Sequence, residues 1–265
     1  MDKKIQFGPA GLGAVKEAVK NLEKYHELGI KACEIGFTYG IYIHHDNDAI
    51  EIGKAAKKFN VRLSIHAPYW LNLNSKEKRK IEESKKRILD CCRIGEKLGA
   101  YVVVFHAGYF GGMDKEETYQ NIKKAVLDIM HEIKKNKWKI KIAPETMGKI
   151  NVFGSVEEIS RLVKDTGCSF CIDFAHIEAR DKKVDWNKIK GLFGKYEKWH
   201  CHFSGIEYGE KGEKKHILTG KDKWKNLLAE LPKNKDIVII NESPSPVRDG
   251  VEGMKISKKQ CATTH

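Results

Sequence analysis

Short apolar runs alternate along this chain with longer amphipathic stretches. The runs near Ile5, Ala32, Arg62, Tyr101, Ile140, Ser169, Trp199 and Ile237 are rich in β-branched and aromatic residues and predict eight strands. Between them, apolar residues recur at three- and four-residue spacing among Lys and Glu, the pattern of helices with one buried face. The strands start roughly 30–40 residues apart, the length of a βα unit. Asp114 with Glu117 and Ser155 with Glu158 have capping-box spacing, Ser75 and Asp222 are further predicted N-caps, and Gly29, Gly99 and Gly167 stand where helices should end. No Pro/Gly-rich linker or break in composition divides the chain. The prediction is an α/β protein with a single (β/α)8 TIM barrel spanning residues 1–265, an open doubly wound sheet being the alternative. The tail SPSPVRDGVEGMKISKKQCATTH leaves little room for a final helix, so closure by a short helix or an irregular segment is expected there.

Six successive strand candidates end on residues that bind metals. RLSIH ends on His66, YVVVFH on His106, KIAPE on Glu145, SFCID on Asp173 and IVIINE on Glu242, while KWHCHF carries His200 and His202. With 11 histidines and 36 acidic residues among 265, such residues are under a fifth of the chain, so six consecutive strand ends are unlikely to collect them by chance. One such residue reads as a satisfied polar group; several converging from different strands read as the ligands of a shared ion. A parallel barrel opens all its strand C-termini on one face, where these side chains would meet. His176 follows Asp173 by three residues, close enough to serve the same ions. His200 and His202 are two apart and share one strand face.

Composition adds three constraints. The hydrophobic content of 41% supports a packed core. The net charge of +13 suits a polyanionic partner such as nucleic acid, or else a lysine-rich solvated surface. Seven cysteines form no zinc-finger or CxxC pattern and point to a reducing, cytoplasmic setting, and no apolar run is long enough to cross a membrane. GPAGLG, with Gly8, Gly11 and Gly13, lacks GxGxxG spacing and reads as a tight first turn after a strand.

From IQFGPAGLG to IINES the chain resembles the endonuclease IV family, as a divergent, archaeal-type member. The motifs HAPY, FHAG, PETMGK and CIDFAH and the glutamate of the last strand occur in that family's order and at similar separations. The resemblance implies a metal-dependent apurinic/apyrimidinic endonuclease on a TIM barrel, with two or three zinc ions per chain. By this resemblance one ion is held by His66 and His106 and a second by Asp173, His200 and Glu242. Glu145 bridges them and is the catalytic carboxylate. His200 matches the ligand by its distance to the following loop, with His202 as the alternative. A third ion would use His176 with an Asp-x-His pair, where this chain offers Glu213 and His216 with one residue more between them.

The implied activity is hydrolysis of double-stranded DNA on the 5′ side of an abasic site, leaving a 3′-hydroxyl, as in base excision repair. Tyr69, Trp70 and Leu71 resemble the family's loop that enters the minor groove, with a core or rim role as the alternative for each. The family's polar loop after the second strand is replaced by FTYGIYIHH, where Tyr39 or Tyr42 would substitute by stacking. Two other readings compete. Xylose-isomerase-like enzymes share the superfamily and isomerise or epimerise small sugars with divalent metals, and a DNA- or metal-binding protein without turnover is the third reading.

Overall fold

The computed structural model describes residues 4–262. The strands in chain order are β1 (Lys4–Pro9), β2 (Ala32–Gly36), β3 (Arg62–His66), β4 (Val102–Phe105), β5 (Lys141–Pro144), β6 (Cys171–Asp173), β7 (Lys198–Phe203), β8 (Gly205–Gly209), β9 (Gly212–Ile217) and β10 (Asp236–Asn241). All except β8 and β9 pair in parallel, as two arcs ordered β1-β10-β7-β6 and β2-β3-β4-β5. Parallel bridges between Ala10 and Glu34 and between Glu145 and Cys171 join the arcs at both seams, closing the eight-stranded barrel. β8 and β9 form an antiparallel hairpin that follows β7.

Strand alternation sorts side chains into two compartments. Phe7, Ile35, Ile65, Phe105, Ile142, Ile172 and Trp199 belong to the main apolar core under the helices. The alternate positions Val102, Val104, Ala143 and Cys171, and Ala32, Val238 and Ile240, form two small separate clusters that fill the barrel itself. Continuing the inward positions toward the C-terminal mouth leads to His66, His106, Glu145, Asp173, His202 and Glu242. The strand-end residues expected as ligands are thus the topmost inward residues of their strands.

The helices are α1 (Val15–Glu27), α2 (Asp46–Phe59), α3 (Lys78–Leu98), α4 (Lys115–Lys135), α5 (Val156–Thr166), α6 (Phe174–Asp181), α7 (Trp186–Phe193), α8 (Lys221–Glu230) and α9 (Pro246–Ala262). Asp114 caps α4 by accepting from the Glu116 and Glu117 amides, and Ser155 forms a full capping box with Glu158 on α5. Gly99 and Gly167 are left-handed C-caps, and Gly29, at φ 79°, follows the C-cap of α1. Two expected N-caps stand elsewhere. Glu77 occupies the cap of α3 while Ser75 accepts from the Glu77 amide, and Gly220 precedes α8 with Asp222 inside its first turn.

The tail is the larger correction, because residues 246–262 form a helix of 17 residues. Pro246 sits at its first position, where a missing N–H costs nothing. Buried Asp249 accepts from the Thr219 amide at 2.7 Å and anchors the helix to the segment before α8. Gly253, which weakens a helix in isolation, is where the Trp224 ring comes closest: a Cβ there would stand 2.7 Å from the ring.

Candidate metal centre

Glu145, the residue after β5, stands at the centre of the mouth and is 1% exposed. Its Oε2 lies 3.2 Å from Nε2 of both His66 and His106. Its Oε1 lies 3.2 Å from Nδ1 of His176 and of His202. The carboxylate therefore faces one pair of imidazoles with each oxygen. Three groups of potential ligands, each with all its ligand atoms within 4.8 Å of one another, surround it: His66, His106 and Glu145; Glu145, Asp173, His202 and Glu242; and Asp173, His176 and His216.

These groups fit zinc. Around a tetrahedral ion with bonds of roughly 2.0–2.2 Å, neighbouring donors stand roughly 3.3–3.6 Å apart, close to the 3.2–3.5 Å found between Glu145, Glu242 and the imidazoles. Asp173 supplies an independent observation. Its Oδ1 caps α6 by accepting from the His176 amide at 2.7 Å, while its buried Oδ2 has no hydrogen-bond partner. Among the described residues its one ion-pairing neighbour is Nδ1 of His176 at 3.5 Å, and a buried carboxylate oxygen without a hydrogen bond is costly unless a cation meets it. The cap also explains the three-residue spacing of Asp173 and His176, since an N-cap and its third helical residue lie side by side.

Three of the imidazoles are also held by neighbouring polar groups through Nδ1. Nδ1 of His66 lies 2.7 Å from the Ala67 carbonyl and Nδ1 of His176 lies 3.0 Å from the Thr146 carbonyl, so both donate there and turn Nε2 toward the site. Nδ1 of His216 meets the Ser204 hydroxyl at 2.6 Å. Such contacts select the tautomer that leaves the other nitrogen free for a metal.

His200 and His202 stand in different surroundings. Nδ1 of His202 lies 3.2 Å from Oε1 of Glu145 and 3.5 Å from Oε1 of Glu242. His200, expected as the ligand, lies one inward position lower, with Nδ1 against the Tyr101 hydroxyl and Nε2 3.0 Å from Oε2 of Glu34. Cys171, His200 and His202 also lie within 4.8 Å of one another. Burial pushes the Cys171 thiol well above its usual range, and both His200 nitrogens already face partners, so this lower group lacks a free donor set.

The third group depends on a backbone irregularity. Residues three apart on a regular strand face opposite ways, which would separate Glu213 from His216. In the hairpin Glu207 pairs with Lys215 and Tyr208 with Glu213, so Lys214 is an extra residue in a β-bulge. The bulge returns both side chains to the site, with Glu213 3.4 Å from His176 Nε2 and 3.8 Å from His216 Nε2.

Electrostatics reflect this crowding. Burial alone would raise the Glu145 carboxyl, but the charge of His202 and hydrogen bonds from His106, His176 and His202 hold it well below the usual range. Against the opposing effect of burial, Cys171, Glu242, Glu34 and Glu145 push His202 well above the usual histidine value. His176 is raised likewise, by Asp173, Glu145 and Glu213. Burial lowers His106 and raises Glu242.

The expected DNA-facing residues divide. Tyr69 is 45% exposed and stacks on His106 with centroids 5.4 Å apart, meeting His66 edge-on. Trp70, 51% exposed, packs against Tyr39, 84% exposed, at 5.8 Å. Tyr42 is half-buried against Phe37. Leu71 is a correction: it is 1% exposed and part of the core, so it has no surface to offer a duplex. Tyr69, His66 and Glu242 stand between two clefts. One, about 560 Å³, is lined by Gly11, Gly13, Thr38 and Tyr42, and the other, about 350 Å³, by Tyr109, Lys149, His176, Glu213 and His216. A further cavity of about 330 Å³ opens at the opposite end of the barrel among Arg62, Lys141 and Lys198, away from these ligands.

The sequence reading missed Glu34 and Ser64. Both lie inside strands rather than at their ends, and the signal was a charged residue within the buried run ACEIG. No helix among the described residues is long and apolar enough to cross a membrane. Cys33, Cys91, Cys92, Cys168, Cys171 and Cys201 are buried free thiols.

Comparison with known proteins agrees with this architecture. An uncharacterized protein of Methanocaldococcus jannaschii is 32% identical over 267 residues, covering 94% of this chain and 95% of that one. A probable endonuclease 4 of Mycobacterium tuberculosis is 28% identical over 171 residues, 63% of this chain and 66% of its own length. Among solved structures, SacUVDE superposes with a TM-score of 0.76 at 14% identity, covering 97% of this chain and 99% of that one. Endonuclease IV from Thermus thermophilus gives 0.69 at 19% identity over 98% and 99%. D-psicose 3-epimerase from Clostridium cellulolyticum gives 0.70 at 13% over 97% and 98%. At these identities the superpositions establish the fold alone. The model of one family, described as xylose isomerase-like TIM barrel, matches residues 22–260, and the chain belongs to that family.

Proposed function

We propose that this protein is a zinc-dependent endonuclease that hydrolyses double-stranded DNA on the 5′ side of abasic sites, in the manner of endonuclease IV, and acts in DNA base excision repair in the cytoplasm. The observation that carries the reading is the splitting of one buried carboxylate, Glu145, between the His66–His106 pair on one oxygen and His202 on the other. Such a carboxylate suits adjacent divalent ions. His66, His106 and Glu145 would hold one, Glu145, Asp173, His202 and Glu242 a second, and Asp173, His176 and His216, with Glu213 beside them, a third. Zinc bound there supplies Lewis acidity toward a phosphodiester and an activated water at neutral pH.

The protein's own residues position the substrate. Tyr69 and Trp70 project beside the ligands and offer ring faces to the space left by a missing base. Extrusion of a nucleotide is cheapest where the base is already absent. Lys149 lines the cleft beside His176, and the net charge of +13 supplies phosphate affinity without base readout. The test is incision of a duplex carrying one abasic site by zinc-loaded protein, against the same duplex intact.

A second reading is a metal-dependent sugar isomerase or epimerase. It is favoured by the two clefts, of about 560 and 350 Å³, which are of a size for a monosaccharide, and by the similarity of fold to the epimerase. Against it stand the five histidines among the ligand groups, which suit zinc better than the oxygen-rich sites of magnesium or manganese. Interconversion of ketohexoses by the loaded protein, with abasic DNA left uncut, would establish it.

A further inference from the structure

The imidazole of His202 differs from its neighbours in what holds its second nitrogen. His66 and His176 lean on backbone carbonyls and His216 on a hydroxyl, whereas Nε2 of His202 lies 2.9 Å from Oε1 of Glu34. Glu34 is 1% exposed on β2, one inward position below the mouth. Its other oxygen accepts from the Ser64 hydroxyl at 2.8 Å and lies 3.0 Å from Nε2 of His200. His200 in turn meets the Tyr101 hydroxyl, and Arg62, bound to Asp236 at 3.1 Å, covers the Tyr101 ring at 3.9 Å. A continuous polar strut therefore runs through the apolar barrel from its N-terminal end to one ligand of the candidate metal centre.

A buried carboxylate costs several kcal/mol unless its surroundings compensate. Ser64 and His200 hold Oε2, which leaves Oε1 directed at His202. Neither Oε1 of Glu34 nor Nε2 of His202 has a hydrogen-bond partner, so at 2.9 Å charge and fixed position carry the interaction. A negative group at Nε2 favours the tautomer protonated there and leaves the Nδ1 lone pair facing Glu145 and Glu242.

We propose that Glu34, braced by Ser64 and His200, is a positioning residue that sets the orientation and tautomer of His202 for the ion held by Glu145, Asp173, His202 and Glu242. The proposal rests on the metal-centre reading above. It assigns the strut to one of the three ion positions, and the other two should not depend on it.

The experiment is a zinc competition titration against a chromophoric chelator on the wild type and on Glu34→Gln, with circular dichroism of both metal-free proteins. Partners that orient ligating histidines typically contribute about 10–100-fold in metal affinity. Glu34→Gln, whose amide can donate to Nε2 and so favour the wrong tautomer, should weaken one zinc position by about 10–100-fold while the rest and the fold are unchanged. Should that variant fail to fold, nitrogen-15 NMR of the zinc-loaded wild type decides, since His202 must appear protonated at Nε2 and metallated at Nδ1. Equal affinity at every position in folded Glu34→Gln, or a His202 metallated at Nε2, overturns the role of Glu34. A wild type that takes up no zinc overturns the metal-centre reading itself.

Discussion

Nδ1 of His202 lies 3.2 Å from Oε1 of Glu145, although the two residues are 57 positions apart on strands that are not neighbours in the barrel. The contact spans the C-terminal mouth and fixes where ions would sit. Removing the charge of Glu145 while keeping its shape, in Glu145→Gln, should lower zinc content at two positions together and reduce incision by at least about 100-fold, the scale on which transition-state charge stabilisation is lost. Elemental analysis and the incision rate check it; a folded variant with full zinc would remove Glu145 from the bridging position.

The bulge at Lys214 makes a geometric prediction. Deleting Lys214 leaves Glu213 and His216 two apart on a regular strand, on the same face, so zinc stoichiometry should be retained. Inserting one glycine after Lys214 puts the two residues four apart, on one face of a regular strand but roughly 13 Å from each other, too far to serve one ion. The insertion should lose one zinc per chain, and the two stoichiometries, measured side by side, separate this account from one in which the hairpin is a mere cover.

Zinc uptake should depend steeply on pH. His176 and His202 are held above the ordinary histidine value in the metal-free protein by the carboxylates beside them, so both keep their protons to higher pH than a free imidazole. Zinc must displace those protons. Binding should therefore release protons, strengthen as pH rises through the raised values, and weaken as it falls below them. Calorimetry in buffers of different ionisation enthalpy measures the protons released; none released near pH 7 would contradict the assignment.

Neighbouring loop residues should behave oppositely on substitution. Tyr69→Ala with Trp70→Ala should weaken productive DNA binding roughly tenfold or more, since aromatic stacking contributes about 1–3 kcal/mol per base, and should leave zinc content intact. Leu71→Ala should instead cost roughly 2–5 kcal/mol of stability, because Leu71 is core. Incision kinetics and thermal melts of the two variants distinguish the roles. Added salt should weaken the wild type and the aromatic double variant alike, because phosphate contacts persist in both.

The barrel and its mouth were legible because two periodicities coincide. Strand runs fall at βα intervals, and alternation within each run puts its last inward residue at the opening, so His66, His106, Glu145, Asp173 and Glu242 could be read directly. What stayed hidden depended on depth or on contacts distant in sequence. His200 and His202 have the same parity, and only the contacts of His202 with Glu145 and Glu242 across the barrel show which of the two reaches the mouth. Glu34 stands inside its strand, where strand-end reading does not look. Helix α9 was obscured by two Ser-Pro steps and two glycines, and it forms because Gly253 meets Trp224 and Asp249 holds Thr219. The bulge at Lys214 arises from hairpin pairing, which no local pattern announces.

The central claim is that the mouth carries out phosphodiester hydrolysis beside a missing base. Its most direct test is incubation of zinc-loaded protein with a labelled duplex containing a single abasic site, with the products resolved at single-nucleotide length and their ends identified. The account predicts one zinc-dependent cut immediately 5′ to the abasic nucleotide, leaving a 3′-hydroxyl and abolished by chelation. A fully metallated protein that leaves this duplex intact while interconverting ketohexoses would contradict it.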